Sequence, residues 1–301
     1  MRALITGING FVGRHLEAEL RSRGWEVFGM SPEPPFNDTV RKGDLLDTPL
    51  LTTLVNELRP NVVFHLAGIS SVKMSWDKPE LTMRVNRDGT DSLYRALASL
   101  GTPVTMVLVS SAEVYGIPKR IPLTELDPPH PMSPYATSKL AAEKLADRYP
   151  SVNTVITRSF PHIGPGQRPG FIVPDVAQQI VAIERKKADV LLIGNTEAQR
   201  DFTDVRDVVN AYILLTERGK SGQIYNVCSN VAHKISEMVD MLVAKSTATI
   251  TVRQDPSRMR PSDIPILQGD NTKLQRATGW TPRIPLGKTI DDVLAYYRSL
   301  P

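Results

Sequence analysis

Short apolar runs alternate with amphipathic stretches through the first 160 residues. Residues 2–6 (Arg-Ala-Leu-Ile-Thr) have the length and character of a buried strand. Residues 11–23 follow with apolar positions at Val12, Leu16 and Leu20, the spacing of one helical face, and Gly24 ends the pattern. Residues 25–29 predict a second strand. Residues 62–67 and 104–109 are continuous apolar runs of strand length, with helical patterns at 50–58 and 81–100 between and around them. Apolar strands separated by helices predict a parallel sheet buried on both faces. Ser133-Pro134 opens a further helix, because serine is a favoured N-cap and proline fits the first helical position. Residues 152–157 predict another strand.

The pattern changes after about Arg158. Residues 161–170 form a turn-rich segment with three glycines and three prolines. A helix over 173–187, a short strand over 190–193, a helix over 204–218 and a strand over 223–227 follow, the last two placed to return to the main sheet. A proline-punctuated segment spans 255–265. The expected architecture is α/β: a doubly wound parallel-sheet Rossmann domain with a smaller α/β C-terminal substrate domain. The boundaries expected are 1–160 plus about 204–228 for the first, and about 161–203 plus 229–301 for the second.

Composition sets limits on function. A chain of 301 residues can hold one large α/β domain with a smaller companion. With 41% hydrophobic and 23% charged residues it reads as globular rather than disordered. Its net charge of +4 suits an anionic small molecule but is too weak and dispersed to indicate nucleic acid. No apolar run reaches membrane-spanning length. The single cysteine, Cys228, allows no intrachain disulfide and fits a reducing compartment. With no signal-peptide pattern at Met1, the expected location is cytoplasmic. The five histidines form no metal-ligand spacing, so no metal is expected. His65 reads as a satisfied core residue, and Cys228 as a small buried one.

The chemistry concentrates in a few places. Tyr135 and Lys139 lie four residues apart, one helical turn on one face. A free tyrosine titrates near pH 10, and a neighbouring ammonium favours its phenolate. The pair is thereby suited to proton transfer to or from a carbonyl or alcohol oxygen. Ser111 ends a predicted strand, on the side where open α/β sheets bind ligands. Glu113, two residues on, would share a face with Ser111 in extended geometry. Gly7, Gly10 and Gly13 sit between the first strand and first helix, where glycines let a pyrophosphate approach the helix N-terminus. The second strand ends Phe28-Gly-Met-Ser31-Pro32 without a carboxylate, which leaves room for a ribose 2′-phosphate. Ser31 is placed to bond that phosphate, with Arg14 approaching. NADPH is therefore favoured over NADH. Asp44 reads either as an adenine contact, with Leu45, or as a turn residue. Arg200 and Arg260 are candidate diphosphate ligands, because the guanidinium fork pairs with phosphate oxygens.

Together these motifs resemble an extended short-chain dehydrogenase/reductase, and more narrowly its sugar-nucleotide epimerase/dehydratase branch. The residues that carry the likeness are 6–13, Asp44, His65-Leu-Ala-Gly68, Asn86, Ser110-Ser-Ala-Glu-Val-Tyr-Gly116 and Tyr135–Lys139. In the second half His162-Ile-Gly-Pro-Gly-Gln167, Gly194-Asn195, Arg200-Asp-Phe-Thr-Asp-Val-Arg-Asp207, Tyr225-Asn-Val-Cys228 and Arg260-Pro-Ser-Asp263 are similar to the reductases of GDP-linked 4-keto-6-deoxyhexoses. The resemblance implies Ser111, Tyr135 and Lys139 as the catalytic residues. It implies cofactor contacts from Gly7, Asn9, Gly10, Phe11, Val12, Gly13, Ser31, Asp44, Leu45, Leu66, Ala67 and Gly68, with Tyr135 and Lys139. It implies substrate contacts from Ser111, Ala112, Glu113, Pro161, His162, Asn195, Arg200, Arg260, Pro261, Ser262 and Asp263. Where the family usually has asparagine before His162, this chain has Pro161. The implied reaction is NAD(P)H-dependent reduction of the C4 ketone of GDP-4-keto-6-deoxymannose to GDP-D-rhamnose, in a homodimer. Related dehydratases commonly place an acid before the glutamate at position 113, and this chain has Ala112. The alternatives are a GDP-mannose dehydratase, a UDP-sugar 4-epimerase, a reductase forming the 6-deoxytalose isomer, and a cofactor-sensing protein without catalysis.

Overall fold

A computed structural model describes residues 1–258 and 264–301. Seven parallel strands form the central sheet. They are β1 (Arg2–Thr6), β2 (Glu26–Ser31), β3 (Val40–Lys42), β4 (Val62–His65), β5 (Val104–Ser111), β6 (Val152–Ser159) and β7 (Ile224–Val227). Their order is β7-β6-β5-β4-β1-β2-β3, with every neighbouring pair parallel. The order reverses at β1, and there the carboxyl ends of β1 and β4 leave the crevice where such sheets take ligands.

Strand alternation divides the core into two layers. Ala3 and Ile5 of β1 face one side and join Leu16, Leu20, Val208 and Tyr212 from helices Phe11–Ser22 and Val205–Arg218. Leu4 faces the other and joins Leu51, Val55, Leu93 and Leu97 from helices Thr48–Leu58 and Gly89–Ala98. Alternate side chains of one strand point to opposite faces, so an apolar residue is required at every position.

The stretch expected as one helix over 81–100 is divided. Helix Pro79–Met83 runs into a π-helical turn, Arg84–Asp88, before Gly89–Ala98 begins. At that wide turn the Asn86 amide donates to Ile69 C=O at 3.0 Å and to Ser138 Oγ at 2.9 Å, and its oxygen accepts Ile69 N–H at 2.8 Å. Side-chain anchoring of a loop is a recognised setting for such a turn.

The second half has its own core. Val173, Val176, Ile180, Met238, Val239, Ile290 and Val293 meet from helices Ile172–Glu184, Ile235–Val243 and Leu286–Ser299. Three small sheets accompany them. His162–Ile163 pairs with Thr203–Asp204, Val190–Ile193 with Thr251–Gln254, and Gln199–Asp201 with both Ala232–Lys234 and Ile266–Leu267. Among the described residues no helix is long and apolar enough to cross a membrane.

Candidate active site

A cavity of about 1320 Å³ runs from the crevice at β1 and β4 into the second half. Every expected contact that lies within the described residues lines it. The glycine turn lies at one end, Ser111, Tyr135 and Lys139 in the middle, and Asn195 and Arg200 on the side formed by the second half. Arg260, Pro261, Ser262 and Asp263 lie outside the described residues.

The glycine turn is shaped by close approach. Gly7 has φ +77°, and a Cβ there would sit 3.0 Å from Ala67 Cα and N. A Cβ at Gly13 would fall 2.4 Å from Gly7 O. Gly10 caps helix Phe11–Ser22 with no side-chain hydrogen bond, so the first-turn N–H groups face the cavity without a side-chain oxygen over them. This cradle fits a pyrophosphate. At the end of β2 the buried Ser31 hydroxyl accepts Glu33 N–H at 3.1 Å. Arg14, expected to approach a 2′-phosphate, instead donates to Asn9 C=O at 3.1 Å. Two residues beyond Ser31, Glu33 lines the cavity and pairs with Arg168 at 3.0 Å. A carboxylate therefore follows β2 after all, in an exposed ion pair with an arginine from the 161–170 segment. Asp44 is both a turn residue, accepting Leu46 N–H at 3.0 Å, and part of the cavity wall.

The candidate reacting centre is built by β5 and helix Pro134–Glu143. Ser133 caps that helix, its hydroxyl accepting Ala136 N–H at 3.1 Å, which starts the helix where Tyr135 faces the end of β5. Lys139 donates to Val109 C=O at 2.9 Å. The expected electrostatics need correcting. Burial pushes the Tyr135 phenol up to about 12, with a hydrogen bond to Ser111 pulling it back and the Glu113 charge adding to the rise. Burial also brings Lys139 down to about 8, opposed by Glu143. Lowered solvation is the largest cause of both shifts. Tyr135 keeps its proton across the neutral range, as a proton donor must.

Glu113 is not in extended geometry. Ala112–Tyr115 is a 3₁₀ turn, because the Ser111 hydroxyl accepts Glu113 N–H at 3.2 Å and Gly116, at φ +67°, closes it. Ser111 and Glu113 still line the same cavity, brought there by the turn rather than by strand alternation. Ala112 is buried beside them and has only a methyl group.

Arg200 sits on strand Gln199–Asp201 rather than in a loop, and its guanidinium donates to Ile264 C=O at 2.6 Å and Gln199 C=O at 2.8 Å. Those bonds hold a buried cation at the cavity wall. His162 stacks on Phe11 with ring centroids 6.2 Å apart and donates its Nδ1–H to Phe160 C=O at 3.0 Å. Burial lowers its pKa. His65, as expected, is a satisfied core residue between Thr6 and Thr90 hydroxyls at 2.7 and 2.9 Å, brought down to about 3 chiefly by burial. Cys228 is fully buried. Phe171, Asp175, Gln179 and Trp76 also line the cavity and were not singled out, since nothing local marks them as more than helix or loop residues.

Comparison with known proteins gives a consistent picture. The profile of the family described as GDP-mannose 4,6 dehydratase matches residues 4–293. A GDP-6-deoxy-D-mannose reductase of Pseudomonas aeruginosa is 36% identical, over 99% of this chain and 97% of its own. The structure of RMD from Pseudomonas aeruginosa complexed with NADPH superposes with a TM-score of 0.89 at 35% identity, covering 99% of each chain. A Thermus thermophilus UDP-glucose 4-epimerase complexed with NAD has a TM-score of 0.89 at 28% identity, also covering 99% of each. With the Rossmann sheet, the glycine cradle and the Ser111–Tyr135–Lys139 centre in place, the chain belongs to the GDP-mannose 4,6-dehydratase family of extended short-chain dehydrogenases/reductases.

Proposed function

We propose that this protein is an NADPH-dependent reductase of GDP-4-keto-6-deoxy-D-mannose that forms GDP-D-rhamnose. The observation that carries the reading is the joining of the proton-donating centre, the glycine cradle and buried Arg200 in one cavity, in a chain with a full-length reductase relative. The dinucleotide, when bound, supplies hydride to the substrate carbonyl. The glycine cradle and the helix N-terminus hold its pyrophosphate. Tyr135 keeps its phenolic proton at neutral pH and delivers it to the C4 oxygen. Ser111 accepts Glu113 N–H and bonds the Tyr135 phenol, which places its hydroxyl beside the proton donor, where it orients the carbonyl once substrate is bound. Lys139 brings a positive charge to the cofactor ribose beside Tyr135. Arg200 supplies the charge for the diphosphate.

Ala112 favours reduction over dehydration. A methyl group cannot protonate a departing C6 hydroxyl, so Glu113 is assigned to ordering the sugar. The site residues and the division of labour belong to the same proposal: 1–160 with 204–228 hold cofactor, and 161–203 with 229–301 hold the nucleotide sugar. Separate apolar cores around the main sheet and in the second half support that division in outline, while Leu274 and Trp280 of the last span pack into the first core. The homodimer and the cytoplasmic location complete the reading, the latter supported by a lone buried thiol.

The test is incubation of GDP-4-keto-6-deoxymannose with NADPH, following cofactor oxidation by absorbance and the product by NMR. Stoichiometric oxidation with GDP-D-rhamnose formed is expected. A 6-deoxytalose product would overturn the assigned stereochemistry. Absence of oxidation, with GDP-mannose or a UDP-sugar converted without added reductant, would replace the reductase by a dehydratase or an epimerase.

A further inference from the structure

Directly behind the reacting centre lies an ion pair that the proposed reaction does not use. Glu143 ends the Tyr135 helix, one turn beyond Lys139. It is 5% exposed, and its partner Arg158 on β6 is 3% exposed. The guanidinium donates twice, to Glu143 Oε1 at 3.1 Å and to Oε2 at 2.8 Å. Ser110 of β5 donates its hydroxyl to Oε1 at 2.5 Å. Arg158 also lies over the Tyr115 ring, 4.6 Å from its centroid. Parallel pairing sets Ser110 opposite Arg158 and Ser111 opposite Ser159, so the cluster is one residue behind the reacting serine.

Such a cluster is an expensive way to hold a helix. Two charges lose their hydration, and apolar residues of similar volume are often at least as stabilising. Its position suggests what it adds. The helix bearing Tyr135 and Lys139 must keep a fixed height against β5, and a three-way bond among helix, β5 and β6 fixes it. Lys139 is part-buried, and its ammonium donates to Val109 C=O at 2.9 Å. The titratable groups facing it are Glu143 on its own helix, Tyr135 one turn back and His65 from β4. His65 is neutral and Tyr135 protonated at neutral pH, so Glu143 is the anion among them.

We propose that Glu143, held by Arg158 and Ser110, is a positioning residue for the reduction: it locks the Tyr135 helix to β5 and β6 and keeps Lys139 charged. This rests on the reductase reading through the roles of Tyr135 and Lys139. The burial-lowered Lys139 titration, which Glu143 opposes, agrees with it.

The experiment compares wild type with Glu143→Gln, Glu143→Asp and the double variant Glu143→Gln/Arg158→Gln. The double variant avoids leaving Arg158 buried and unpaired, and so tests the proposal if the single one fails to fold. Two readouts are taken on the full chain. One is the pH profile of kcat/KM with NADPH and GDP-4-keto-6-deoxymannose. The other is the titration of the Lys139 side chain by NMR on lysine-labelled, ligand-free protein, its signal assigned with Lys139→Met. In both Gln variants the Lys139 titration and the alkaline limb should move down by about one pH unit, roughly a fivefold loss at pH 8 relative to pH 6. Glu143→Asp should restore both toward wild type. A uniform loss of rate with unmoved titration would make the pair merely structural and overturn the proposal, as would unchanged rate and profile. If wild type shows no reduction, the reductase reading fails, while the NMR titration still decides whether Glu143 sets the charge of Lys139.

Discussion

Tyr135 and Lys139 show how burial reshapes a motif. Their spacing suggests an acidified tyrosine, yet Tyr135 is buried and Lys139 part-buried, and the loss of solvation raises the phenol and lowers the ammonium. Tyr135→Phe should reduce turnover by about 10²–10⁴-fold while leaving NADPH affinity nearly unchanged, read by steady-state kinetics and a cofactor titration. Lys139 gives a stability prediction with a definite sign. Its folded pKa of about 8 lies below its ordinary 10.5. The penalty for burying it charged is therefore full below pH 8 and disappears as pH rises to 10.5. Lys139→Met should be inactive yet about 1–3 kcal/mol more stable than wild type at pH 7, the difference fading across that alkaline window. Denaturant unfolding at a series of pH values checks it. Equal stability at pH 7 would mean that Lys139 is solvated.

At the scale of elements, the turn between β1 and helix Phe11–Ser22 is decided by backbone contacts rather than by side chains. A Cβ at Gly13 would meet Gly7 O at 2.4 Å and Ile8 O at 2.5 Å, and neither carbonyl can move without opening the turn. Gly13→Ala should lower stability by about 1–3 kcal/mol and weaken cofactor binding along with it, measured by unfolding and by cofactor titration. Loss of affinity without loss of stability would show that the turn accommodates the methyl group. The elements of the substrate side are held against this turn by specific contacts. His15 Nε2 lies 2.8 Å from Pro165 C=O, and Tyr297 donates its hydroxyl to Gln167 C=O at 2.8 Å. The 161–170 segment is thereby held at its middle, and His162 near its start stacks on Phe11.

For the whole molecule, the chain returns to the first core after building the second. Helix Thr272–Thr278 and Trp280 pack on the main sheet side, with Trp280 1% exposed and its indole donating to Asp207 C=O at 2.9 Å. Asp207 Oδ2 in turn accepts the N–H groups of Arg283 and Ile284 at 2.9 and 2.8 Å. The C-terminal segment is thus fastened to helix Val205–Arg218. Trp280→Ala should cost about 3–5 kcal/mol, with a single unfolding transition by fluorescence and circular dichroism. Two separated transitions would show that the halves unfold independently.

The sequence by itself determined the parallel sheet, the glycine turn and the start of the Tyr135 helix, and it marked residues that line the cavity. These are local matters: apolar runs, caps and turn-forming glycines act over a few positions. Tertiary structure alone decided how those pieces meet. The π-turn at Asn86 depends on Ile69 and Ser138, and the 3₁₀ turn that carries Glu113 depends on how β5 ends. The pairing of Glu33 with Arg168 joins residues 135 positions apart. The Glu143–Arg158 pair depends on the register of β5 with β6. Above all, the shifted titrations of Tyr135 and Lys139 follow chiefly from desolvation, which is a property of the packed whole and has no signature in the spacing of two residues.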